Sequence, residues 1–165
     1  MYFTIALRLR ASLGALIGLL ATGLIGRVAL GDADTLPLLL APMGASAVLL
    51  FAVPGSPLAR PWPMIGGNVL SAVVGVTCAT MVPEPNVAAA LAGGLSIALM
   101  MTAGCLHPPG GAVALTAVLG GPSVQAAGFG FAIWPVGLST VLLLSIALVF
   151  NSANPIQSRR ADNQA

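Results

Sequence analysis

The sequence predicts an all-α membrane protein: six hydrophobic segments arranged as a 3+3 inverted repeat, with segments two and five short or broken. Three observations predict it. First, 58% of the 165 residues are hydrophobic and only 6% are charged, whereas a soluble domain carries about 25% charged residues. The mean hydropathy is +1.01. Second, apolar runs of about 17–25 residues, long enough for membrane helices, recur from end to end. Third, two of the runs are interrupted by proline and glycine, at "APMGASAV" and "LHPPGGAV", and these two stretches resemble each other.

The segments fall at about 11–30, 36–53, 63–82, 87–104, 107–120 and 130–150. Their connections are short: an acidic "GDADT", a proline-rich "PGSPLARPW", a "PEPN" carrying Glu84, and an uncharged "GPSVQAAGF". Residues 1–152 form one transmembrane domain, and residues 153–165 form a polar C-terminal tail. The start of the chain has the outline of a signal peptide, with Arg8 and Arg10 ahead of an apolar run. That run is longer than a usual signal core and carries a stripe of small residues, so a retained first helix is expected.

Charge placement bears on topology. All six basic residues are arginine. Six crossings with a cytoplasmic N-terminus put Arg8, Arg10, Arg60, Arg159 and Arg160 inside and Asp32, Asp34 and Glu84 outside, as the positive-inside rule asks. Four crossings, with segments two and five re-entrant, put Arg60 outside. The expected setting is a bacterial inner membrane with both termini cytoplasmic. A net charge of +2 gives no reason to expect nucleic acid.

The repeat is read by setting "APMGASAVLLFAVPGSP" over "HPPGGAVALTAVLGGPS" at an offset of 66. Pro42 then meets Pro108, Gly44 meets Gly110, Leu49 meets Leu115 and Gly55 meets Gly121. Each copy lies in the middle of a three-segment unit, and three crossings invert the second unit, which is the plan of many transporters. Composition alone also makes two Pro/Gly-rich membrane segments look alike. Gly14, Gly18, Thr22 and Gly26, and again Gly67, Ser71, Gly75 and Ala79, recur every four residues. Such stripes let helices approach closely in lipid, within a chain or between chains. A homo-oligomer is expected.

The candidate site lies at the two interruptions. His107, the chain's single histidine, precedes Pro108 and is pushed out of the helical region. Pro109 suits the first turn of a new helix. That helix, about 10 residues or ~15 Å long, reaches only half-way through a bilayer. Pro42 opens a similar helix on the same reading. Two helix starts facing each other near the bilayer centre present unpaired N–H groups and positive dipole ends, which suit a small anion. The substrate-binding candidates are therefore His107, Pro108, Pro109, Gly110, Gly111 and Ala112 on one side. On the other are Pro42, Met43, Gly44, Ala45 and Ser46, with Asn68 lining the path. No Asp or Glu lies inside an apolar segment, which disfavours cation transport. His107 as a backbone-bonding core residue is the plainer alternative; inside a membrane an ionisable residue is a functional candidate by default. No cofactor, no metal and no enzymatic role are expected, because one histidine without a membrane carboxylate supplies too few ligands or partners. Cys78 and Cys105 read as small buried residues. The rival readings are a pore for a small neutral solute and an accessory membrane subunit.

"CLHPPGGAVAL", together with "APMGASAVLLFAVPGSPLARPW" and "GGNVLSAVVGV", closely resembles the HPP family of small integral membrane proteins, over about Pro42 to Phe150. The resemblance makes His107, Pro108 and Pro109 the family motif, with Pro42, Gly44 and the "ARPW" loop as accompanying matches. It implies an association with nitrite transport, known for family members in cyanobacteria and chloroplast envelopes, and makes nitrite the first candidate anion. The family is usually described with four membrane helices. Some members carry CBS domains after the membrane part; the chain stops short of one, so that regulation is not expected.

Overall fold

Apolar helices pack side by side throughout the computed structural model, which describes residues 4–30 and 36–152. The acidic loop 31–35 and the polar tail from 153 onward, on which part of the orientation argument rests, lie outside the described residues. Helix α1 runs over Ile5–Leu30 and α2 over Leu36–Ala47, continued by a π turn at Val48–Ala52. A short 3-10 turn, Pro57–Ala59, leads into α3, Pro61–Met81. Helix α4 follows at Pro85–Thr102, α5 at Pro108–Leu119 and a one-and-a-half-turn α6 at Pro122–Ala127. A second π turn, Ala132–Gly137, bends at Trp134 and continues as α7, Leu138–Ser152.

Four of these helices are long and apolar enough to cross a membrane: Ile5–Ile25, Pro61–Met81, Pro85–Thr102 and Ala132–Ser152. A helix of 21 residues spans ~31 Å, about the thickness of a bilayer's hydrocarbon core. Helix α5 has 12 residues, and α2 has 12 continued by the 5 of its π turn. Segment five is thus short, as expected; segment two is not, since α2 and its π turn follow one another from Leu36 to Ala52, and the first helix starts at Ile5 and takes in Arg8 and Arg10.

Each boundary has a local cause. Proline stands in the first turn of α3, α4, α5 and α6, where its missing N–H costs nothing. The Glu84 carboxylate caps α4 by accepting from the Asn86 and Val87 amides at 3.1 and 2.6 Å. Gly104, at φ +63°, ends α4 in a conformation that side chains resist.

One expectation fails here. Pro42 does not open α2; it sits in the helix interior, six residues past the start at Leu36. Ahead of His107 the chain is broken by Gly104 and by extended residues, whereas α2 already has a proline, Pro37, in its first turn, and Leu38, Leu39, Leu40 and Ala41 then carry the helix on to Pro42. A membrane helix accommodates an interior proline where neighbours cover the freed backbone.

Helix α3 is central and packs on α4, α5 and, through the second π turn, α7; α1 packs on α2, the first π turn and α7. The small-residue stripes make these contacts. A Cβ on Gly75 would lie 2.5 Å from the Ala114 carbonyl, and one on Gly110 would lie 2.8 Å from the Gly67 carbonyl, so α3 and α5 touch backbone to backbone. Gly14 and Gly18 receive the Phe51 ring, with Phe150 and Leu143 beside it. Thr22 is buried, and the surroundings of Gly26 lie outside the description. Both stripes are therefore used inside the chain and give no argument for contacts between copies. Phe51 and Phe150 meet edge to face at 5.8 Å, and the Arg10 guanidinium lies over the Phe150 ring at 4.9 Å and donates to the Phe150 carbonyl. Cys78 and Cys105 are free and buried, as expected.

Candidate functional site

The site is set by how the chain re-enters a helix. Between α4 and α5 the backbone is extended at His107, with φ −136° and ψ 103°. This turns the imidazole inward, where it is fully buried. Gly67 on α3 makes room for it: a Cβ there would come within 2.6 Å of the His107 Cβ and 2.8 Å of the Cys105 carbonyl.

Both ring nitrogens have partners. Nδ1 lies 2.9 Å from the Leu58 carbonyl in the 3-10 turn, and Nε2 lies 2.9 Å from the Ser46 hydroxyl on α2. A carbonyl only accepts, so Nδ1 carries a proton and donates to Leu58. In a neutral ring Nε2 then accepts, and the Ser46 hydroxyl donates to it. In an imidazolium Nε2 donates to Ser46, and the hydroxyl donates instead to the Pro42 carbonyl, 3.1 Å away. One residue thereby ties together α2, the 3-10 turn and the start of α5, and the same cage accommodates both protonation states.

The other candidates divide. Pro109 and Gly110 are buried behind His107, Gly110 against Gly67 and Ser71. Gly111 and Ala112 are half-buried and Pro108 is exposed. On α2, Pro42, Met43 and Ser46 face inward, Gly44 is intermediate and Ala45 faces outward. The expected pair of facing helix starts is not formed, because α2 starts at Leu36. The first turn of α5 is also poorer in donors than the motif suggested: Pro108 and Pro109 have no N–H, and the Gly110 N–H donates to the His107 carbonyl at 2.8 Å. Asn68 is fully buried one residue from Gly67, but its amide donates across to Thr140 on α7 at 3.1 Å, and its Oδ1 has no hydrogen-bond partner among the described residues. Ser139, the neighbour of Thr140, is likewise buried with an unpartnered hydroxyl.

Sequence reasoning missed Leu58, whose contribution is a backbone carbonyl and leaves no trace in residue type. It also missed Thr140 as the partner of Asn68, with Ser139 buried beside it. A signal was present, since both are hydroxyl residues in an otherwise apolar run just after a proline.

The profile described as "HPP, transmembrane region" matches residues 2–161. The chain belongs to the HPP family. Two relatives from Dictyostelium discoideum, each described as a transmembrane protein, align over 144 residues with the HPP domain of this chain. One is 42% identical, over 85% of this chain and 50% of its own length. The other is 35% identical, over 85% of this chain and 46% of its own length. The chain thus spans about half the length of these relatives. No solved structure matches this HPP protein.

Proposed function

We propose that this HPP protein is a transporter or channel, not an enzyme, and that it passes a small monovalent anion, nitrite first among the candidates, beside His107. The observation that carries the reading is the cage around that imidazole. A buried ionisable residue inside an apolar bundle, held by Ser46 and Leu58 where α2 meets the start of α5, is a functional candidate by default. The positive end of the α5 dipole lies at the same point and favours negative charge there. The chain order is compatible with an inverted repeat, in which α2 with its π turn and α5 take the middle place of two three-helix units, α1–α3 and α4–α7. In this reading α2 and α5 frame the path. The arginine placement is what favours cytoplasmic termini, the all-arginine usage and short loops are what favour a bacterial inner membrane, and assembly as a homo-oligomer is part of the same proposal.

A pore for a small neutral solute is the second reading. Two observations favour it: the α5 first turn has few free donors, and Asn68 Oδ1 is an acceptor awaiting a hydrogen-bond donor, which a bare anion does not bring. Uptake into proteoliposomes separates the two. Nitrite, nitrate, formate and chloride are compared in wild type and His107→Ala, with the membrane voltage varied. Selective, voltage-sensitive uptake that drops in the variant supports the anion reading. Absence of anion flux from folded protein overturns it, and voltage-independent solute flux moves the assignment to the neutral pore.

A further inference from the structure

Helices α3 and α4 are joined by a three-residue connection, so the start of α3 and the end of α4 lie at the same end of the bundle. An open groove of ≈ 630 Å³ lies there, lined by Leu58, Arg60, Trp62, Gly104, Leu106 and the prolines around them. Both helices have the length of a membrane span, so this groove sits at the boundary between hydrocarbon and headgroups. Trp62 marks that level. Its ring is 58% exposed, while its indole N–H donates to the Ala103 carbonyl at 3.2 Å, an amphipathic placement typical of the interface.

We propose that this groove is a binding site for one anionic phospholipid, with Arg60 on the phosphate. Its walls are prolines, leucines and an indole, surfaces that suit an acyl chain and offer little to a free hydrated ion. Its single charged side chain is Arg60, exposed at the mouth and in no ion pair among the described residues, and a guanidinium matches a phosphate's oxygens in pairs. Basic pockets between membrane helices take anionic headgroups in this way. The groove is also connected to the buried histidine: Leu58 lines it, and the Leu58 carbonyl is what holds Nδ1 of His107. A lipid seated there presses on the 3-10 turn that orients the imidazole. This proposal stands independently of which solute the protein passes.

Native mass spectrometry and thermal unfolding of the full chain test it, in detergent supplemented with phosphatidylglycerol or phosphatidylcholine. One phosphatidylglycerol per chain is expected to remain bound and to raise Tm. Arg60→Gln is expected to weaken that retention roughly fivefold, the worth of one basic side chain near an anionic surface; Arg60→Lys keeps most of it and Arg27→Gln all of it. A separate readout uses the native arginine: in a Trp134→Phe background, brominated phosphatidylglycerol is expected to quench Trp62 more than brominated phosphatidylcholine does. Equal retention in Arg60→Gln, or equal quenching by the two lipids, overturns the proposal. So does an equal Tm rise from inorganic phosphate or nitrite alone, which would make the occupant a free anion.

Discussion

His107 Nε2 lies 2.9 Å from Ser46 Oγ across 61 residues of sequence, and this one hydrogen bond joins α2 to the start of α5. Removing one side of it tests how much it holds. Ser46→Ala leaves a buried ring nitrogen without its partner, which costs about 1–3 kcal/mol. The expected outcome is a lower Tm in detergent. The same variant is expected to reduce solute uptake, since the imidazole loses one of the two contacts that fix its orientation. An unchanged Tm would show that the bond is not made in the folded protein.

The glycine seam gives a prediction with an internal control. A Cβ at Gly75 would meet the Ala114 carbonyl at 2.5 Å and the Ala117 Cβ at 2.6 Å, and backbone cannot swing aside. Gly75→Ala is expected to force α3 and α5 apart, and Gly67→Ala to push the Cys105–His107 connection off α3, at a cost of about 1–3 kcal/mol each. Gly94, on α4, has nothing within 4 Å of its added Cβ. Gly94→Ala is expected to hold or raise Tm, because alanine is the better helix former by about 1 kcal/mol. Equal effects at the three positions would contradict the seam.

Much of this was legible in the sequence, and the failures share a cause. The apolar segments, the shortness of the one after His107, the inward stripe at Gly67, Ser71 and Gly75, and the family itself follow from hydropathy, spacing and the "HPP" motif. What failed was geometry between segments. Pro42 and Pro108 look alike in sequence, yet one lies inside a helix and the other starts one. The difference is made upstream, by Gly104 before Pro108 and, before Pro42, by Pro37 in the first turn of α2 and the three leucines that continue it. The partners of His107 were equally hidden: Ser46 was a candidate as a donor to an anion, and it serves as the partner of the imidazole. Leu58 acts through a carbonyl that every residue has.

Asn68 and Thr140 lend themselves to a double-mutant cycle. The Asn68 amide donates to Thr140 Oγ1 at 3.1 Å in a fully buried contact between α3 and α7. Thr140→Val keeps the shape but strands the amide, at a cost of about 1–3 kcal/mol. Asn68→Leu removes the stranded group together with the unpartnered Oδ1, so the double variant is expected to recover most of the loss. A double variant whose loss is the simple sum of the two single losses would show that the pair is not coupled. Uptake separates stability from transport here. If Asn68 lines the path, the recovered double variant still transports poorly.

The Glu84 cap predicts an acid dependence of stability. Its carboxylate accepts from the Val87 and Asn86 amides, and these bonds hold its pKa below the ordinary 4.5. A depressed folded pKa means that the folded state favours the charged form. The cap's contribution is therefore fully present above about pH 4.5, the value expected when unfolded, and is lost as pH falls through the lower folded value. Glu84→Gln, which keeps the shape but not the charge, is expected to lower Tm at neutral pH, and the gap to wild type is expected to close on acidification. The group is fully exposed, so the effect is modest and shrinks further in high salt. Thermal scans from pH 7 to pH 3 in both proteins read it directly. A gap that stays constant across that range would show that the carboxylate's charge has no part in capping α4.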